Sequence, residues 1–188
     1  MAVLRLVDPD PSYHRSYLEA LQELAAEHNA HYFDLVLPPD EGFAGVAYDA
    51  RALADPATFA EFCAYTRALA DPASPRPPGW TTGTYLWMVV GDEVVGRISL
   101  RHELNAWLRE VGGHIGYAVR PSARRRGYAT QALAQVLPLA AERGIDPALV
   151  TCDDDNLASR KVIEANGGVL EDVRNGKMRF WIPTTGAG

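Results

Sequence analysis

The chain has 188 residues, 47% of them hydrophobic and 22% charged, which suits one domain with a sizeable core and excludes a disordered or fibrous protein. No run approaches the ~18 apolar residues of a membrane span, and the opening MAVLRLVDPDPS lacks the basic flank and apolar stretch of a secretory leader; no membrane partner and a cytoplasmic location are therefore expected. The net charge of −6 is unevenly spread, with 12 acids and 4 bases in residues 1–75 against 12 acids and 14 bases in residues 76–188, a balance that discourages nucleic-acid phosphates and leaves an acidic first part either to greet cationic ligands or to aid solubility.

In chain order, VLRLV (3–7) alternates like a short strand, and DPDPSYHRSYLEALQELAAEHN follows with Pro and Ser start signals and apolar residues at Tyr17, Leu18, Leu21 and Leu24, the spacing of an amphipathic helix. Residues 33–55 read as a loop, rich in Pro and Gly, before DPATFAEFCAYTRALADP makes a second helix. Residues 71–80 form a proline-rich connector. The pattern then turns to strands, TYLWMVV (84–90) and VVGRISLRHE (94–103) as a hairpin over Gly91-Asp92, with HIGYAVRP as a third strand. A helix over 128–143, with Pro138 as a kink inside it, leads to a buried strand ALVTC (148–152), a helix over 156–166 and two short strands near 169–173 and 178–182. The tail PTTGAG is expected to fray. Cys63 and Cys152 are far apart and without metal-ligand spacing, which points to reduced thiols and no metal site. Two helices, an antiparallel meander, then helix, strand, helix and hairpin make an α+β layer in one domain spanning 1–188.

HIGYAVRPSARRRGYATQAL (114–133) raises the functional question. Three arginines stand where a helix begins, at the end whose dipole disfavours cations. A strand ending in a tight loop before a helix presents unpaired N–H groups, a site for phosphate oxygens, and arginines nearby add bidentate bonds. The alternative is a basic loop that merely solvates.

Arg124-Arg125-Arg126-Gly127-Tyr128-Ala129 resembles the Arg/Gln-x-x-Gly-x-Gly/Ala signature of the GNAT superfamily of acyl-CoA-dependent N-acetyltransferases, and DNLASRKVIEANGG resembles its later Asn-x-x-Ser helix. The resemblance covers residues 84–182 as the acetyl-CoA-binding core and leaves 1–75 as substrate-side helices and loop. It implies a mixed, mostly antiparallel central sheet with helices on both faces and a splayed strand pair holding CoA. The pyrophosphate of acetyl-CoA is then expected on the amides of residues 124–129, with Thr130 following in the same helix turn, and the pantetheine against the backbone of Tyr117, Ala118 and Val119. Asn156 is expected to bond the pantetheine, with Ser159 nearby, although DDDN before a helix is also a capping sequence.

The reaction implied is direct attack of a primary amine, on a small molecule or peptide, on the acetyl thioester. A lysine-like amine of pKa ~10.4 costs about 4.6 kcal/mol to deprotonate at pH 7, so a base is needed. Glu103 and His114 are the candidates, with His102 behind them, because LRHELN and GGHIGY flank one loop between adjacent strands. The tyrosine acid that such proteins often carry seven residues after the asparagine is replaced here by Ile163, which leaves open a non-catalytic acyl-CoA-binding regulatory module. The acidic first part suggests a cationic acceptor steered by Asp34, Asp40, Glu41 or Asp49. Nothing in the sequence sets the oligomeric state, with a dimer among the options.

Overall fold

The computed structural model describes residues 3–185. After β1 (Leu4–Val7), the Asp10 carboxylate takes the Ser12 N–H and Pro11 opens a short 3-10 turn into α1 (His14–Ala25). Tyr17, Ala20, Leu21 and Leu24 are its buried residues, the i, i+3, i+4, i+7 set of a helix packed by one stripe. β2 (Leu35–Leu37) and β3 (Val46–Tyr48) pair with each other. α2 (Pro56–Ala68) starts where Asp55 accepts the Thr58 N–H at 2.8 Å and Pro56 occupies the first turn, a pairing that suits a helix start.

The rest of the chain runs β4 (Gly83–Val90), β5 (Glu93–Arg101), β6 (Ile115–Val119), α3 (Tyr128–Glu142), β7 (Ala148–Asp153), α4 (Leu157–Glu164), β8 (Val169–Arg174) and β9 (Lys177–Ile182). The main sheet has the order β1-β4-β5-β6-β7-β9-β8, and β6 with β7 is its parallel pair among antiparallel neighbours. Strand periodicity sends alternate residues to two cores. Leu86 and Met88 meet Leu133, Val136 and Ala140 of α3 on one face. Trp87 and Val89 meet Tyr17 and Leu21 of α1 and Phe59 and Phe62 of α2 on the other. The fold is the mixed α+β sheet with helices on both faces that the sequence implied.

Three local readings change. The stretch 33–55 holds the β2–β3 hairpin, because Leu35 and Tyr48 pack on the α1/α2 core and the Tyr48 ring packs tilted against Phe62 with ring centroids 5.5 Å apart; three-residue strands among Pro and Gly carry too little alternation to be read. The segment before β6 forms a π-helical turn, Leu108–Gly112, started by Asn105 Oδ1 accepting the Leu108 N–H at 2.7 Å. The tail is tied down through Thr184, whose buried hydroxyl donates to Ile145 O at 2.6 Å and whose N–H donates to Asp146 at 2.9 Å. Residues 186–188 of that tail lie outside the described residues. α3 continues through Pro138 to Glu142.

Candidate functional site

β6 and β7 meet at one register pair, Ile115 with Val150. His114 N–H donates to Leu149 O at 2.7 Å and Leu149 N–H donates back to His114 Nδ1 at 2.9 Å. A Cβ on Gly113 would stand 2.5 Å from Leu149 O, and its φ is +62°, so only glycine lets the strands close at this point. Past Ile115 they part. The edge of β6 over 116–119 that faces β7 has no strand partner, and it can satisfy the amides of an extended ligand.

The parting opens into a cleft of about 610 Å³. Tyr117, Ala118 and Val119 line it from β6, Asn156 and Ser159 from the start of α4, and Arg124, Arg125, Gly127, Tyr128, Ala129 and Thr130 from the loop that enters α3. Arg126 is exposed and lies off this lining. Leu24 of α1 and Glu27, Asn29 and Tyr32 of the segment that follows it close the cleft, residues that no motif singled out because they arrive from a distant part of the chain.

Arg125 and Gly127 both take left-handed backbone, φ +62° and +79°. Among the described residues, the amides of Arg125 through Thr130 donate to no protein acceptor. Six open N–H groups in a turn leading to a helix N-terminus form an anion cradle. The side chain of Arg124 faces elsewhere: Nε donates to Val119 O at 3.1 Å and the two Nη atoms to the Glu27 carboxylate at 3.0 and 2.8 Å. Arg120 similarly grips Glu23, with Nε at 2.9 Å.

Asn156 Oδ1 caps α4 by accepting the Ser159 N–H at 3.0 Å, and the residue also lines the cleft. Its amide donors remain open. Tyr117 Oη and Ser159 Oγ share a hydrogen bond of 2.6 Å, and burial pushes the tyrosine up to about 12 against the pull of that bond. Ile163, in the slot of the missing tyrosine, is fully buried in the α3 core.

The base candidates separate. A backbone N–H can only donate, so Leu149 holds His114 Nδ1 as an acceptor and the neutral ring carries its proton on Nε2. Burial, with Arg109 and Arg101 nearby, lowers His114 to about 4. Its lone pair is spent on joining β6 to β7, and His114 is therefore corrected from base to strand latch. His102 binds Thr84 Oγ1 at 2.9 Å and is lowered by burial and Arg143. Glu103 is exposed just beyond β5 and off the cleft lining.

At least six of the twelve acids in the first 75 residues have structural partners. Asp10, Asp49 and Asp55 each take a backbone N–H at a turn or helix start, Asp40 takes that of Glu41, and Glu23 and Glu27 pair with Arg120 and Arg124. Asp34 is half-buried, and burial raises its carboxyl pKa against His31 and Arg97. Among the described residues no group of three His, Cys, Asp or Glu could hold a metal ion, and no helix is long and apolar enough to cross a membrane.

Residues 38–169 match the family model described as acetyltransferase (GNAT) domain. None of the curated proteins matches the sequence. Among solved structures, RimJ of Mycobacterium smegmatis in complex with a CoA disulfide is 20% identical with TM-score 0.63, over 97% of this chain and 82% of that one. Microcin C7 self-immunity acetyltransferase MccE, in complex with acetyl-CoA and AMP, is 12% identical with TM-score 0.62, over 96% and 92%. RimL, a ribosomal L7/L12 α-N-protein acetyltransferase in complex with coenzyme A, is 17% identical with TM-score 0.58, over 96% and 93%.

Proposed function

From the premise that this chain belongs to the GNAT acetyltransferase family, we propose that it transfers an acetyl group from acetyl-CoA to a primary amine by direct attack. The observation that carries the reading is the joining of six open amides, Arg125 to Thr130, to the parted strands β6 and β7 in one cleft. The amides hold the pyrophosphate oxygens, and the free edge of β6 holds the pantetheine as an added strand. Structures of RimJ, RimL and MccE with CoA or acetyl-CoA support the same occupant.

In this scheme the C–N bond forms as the C–S bond breaks, and a proton must leave the amine and reach the sulfur. Open backbone N–H groups on β6 polarise the thioester carbonyl. With His114 committed to Leu149, Glu103 is the remaining base candidate, and from its exposed position off the cleft lining it takes the amine proton through water. The Tyr117–Ser159 hydroxyl pair supplies the proton to the sulfur, from strand and helix together, in place of the tyrosine whose slot Ile163 fills.

Calorimetry with CoA and release of CoA from acetyl-CoA over a panel of amines test this reading. Binding with amine-dependent release is expected. Binding without release from any amine would instead favour an acyl-CoA-binding regulatory module, and absence of binding would defeat both.

A further inference from the structure

The face of the sheet beneath α1 and α2 carries two arginines that form no ion pair among the described residues. In the ladder of β4, β5 and β6, Tyr85 stands beside Ser99 and Ser99 beside Gly116, while Trp87 stands beside Arg97 and Arg97 beside Ala118. Direct neighbours across a sheet share a face. Trp87 lies in the α1/α2 core, so Arg97 faces that side, and Ser99 and Arg101 follow by the period of two.

Burying a guanidinium is costly unless it is paired. Arg101 Nη1 donates to the carbonyls of Gly112 and Gly113 at 3.1 and 3.2 Å but has no carboxylate partner among the described residues. Burial lowers its pKa, and Arg97 lowers it further. Arg97 is half-buried and, among the described residues, makes neither a hydrogen bond nor an ion pair; Asp34 feels its charge without contacting it.

The place is as informative as the charge. A Cβ on Gly116 would stand 3.5 Å from Arg101 Nη1 and 3.5 Å from Ser99 Oγ, and Gly116 is the first residue past the point where β6 leaves β7. A small cavity of about 20 Å³ adjoins Arg97, Tyr85 and Thr66. The Thr66 hydroxyl there, on a residue 6% exposed, is the buried side-chain polar atom left without a partner among the described residues.

We propose that this face is the acceptor subsite for an oxyanion, the carboxylate or phosphate of a small amine substrate, held by Arg97 and Arg101 while its amine reaches the parted strands. The inference rests on the acetyl-transfer reading above. Two guanidinium forks offer charge-assisted bonds to either oxyanion, and the anion relieves the cost of burying them. A substrate carrying only positive charge would be repelled at this face, in contrast to the cationic acceptor suggested by the acidic first part.

The test compares glycine with glycinamide and O-phosphoethanolamine with ethanolamine, at saturating acetyl-CoA, in the wild type and in Arg97→Gln. In at least one pair the charged amine is expected to exceed its uncharged counterpart by about 10-fold or more in kcat/KM, the scale of one charge-assisted bond, chiefly through KM. The pair that responds identifies carboxylate or phosphate. Arg97→Gln should bring the ratio to within about two-fold, without lowering the melting temperature, since the side chain has no protein partner to lose. The responding charged amine should also raise the melting temperature of the CoA-loaded wild type but not of the variant. Equal or better use of the uncharged amines, a ratio that survives in Arg97→Gln, or absence of the thermal shift would overturn the proposal. Calorimetry with CoA alone reads the underlying acetyl-transfer assignment separately, because Arg97 lies off the lining of the cleft and the variant should bind CoA as the wild type does.

Discussion

Gly127 and His114 show how single residues set this site. A Cβ on Gly127 would meet only Gln131 Nε2 at 3.7 Å, so the obstacle to a side chain there is the φ of +79°. A β-branched residue strains at such a φ by about 1–3 kcal/mol and would pull the open amides out of line. Gly127→Val is expected to weaken CoA binding by about 10-fold or more, and Tyr128→Phe to leave it nearly unchanged, by calorimetry. For His114 the folded pKa of about 4 lies below the usual 6.5. The unfolded chain therefore binds the extra proton first as pH falls, so the histidine's contribution is intact above pH 6.5 and declines toward pH 4. The melting temperature should drop across that window, and the drop attributable to this position should vanish in His114→Gln. An unchanged pH profile in the variant would mean that His114 is not the buried latch between β6 and β7.

At the scale of elements, the junction of β6, β7 and α4 brings the chemistry together. Gly113 lets β6 approach Leu149, the strands then part, and Tyr117 from β6 reaches Ser159 at the start of α4. If this hydroxyl pair delivers the proton to the departing sulfur, Tyr117→Phe and Ser159→Ala should each lower kcat by about 10-fold, less than the usual range for acid catalysis because a thiolate leaves readily. The double variant should lose little more than either single one, since both act through one hydrogen bond. Full additivity in steady-state kinetics would show two independent roles. The motif Asn-x-x-Ser marked Ser159 in the sequence, but its partner Tyr117 was expected to act through its backbone alone. Strand residues declare their neighbours only once register is known.

For the whole molecule, α1 is tied to the loop that enters α3. Glu23 binds Arg120 and the Ser122 N–H, and Glu27 binds Arg124. The acidic first part and the basic second part thus close over the cleft by direct pairs rather than by a long-range field. Glu27 stands beside the amide cradle as a negative charge that a phosphate must tolerate. Glu27→Gln should free Arg124 and tighten CoA binding by up to ~5-fold, in line with the ~1 kcal/mol ceiling of an exposed pair, and the gain should shrink at high salt. Weaker binding in this variant would mean that the pair is needed to place the loop.

By itself the sequence determined the α+β order and the helix start at Asp55 and Pro56, and it singled out the loop Arg124–Ala129 ahead of α3. These depend on contiguous residues, whose turn geometry, capping and open amides are local properties. Only the tertiary structure decided that His114 is a latch, that Arg124 faces Glu27, that Tyr117 meets Ser159, and that Arg97 and Arg101 share a covered face with no carboxylate bonded to either among the described residues. Each of those outcomes depends on strand register or on contacts between residues far apart in the chain. The spacing Arg-x-Ser-x-Arg in VVGRISLRHE was visible, but cations on a strand acquire meaning only when both faces of the sheet are known to be buried.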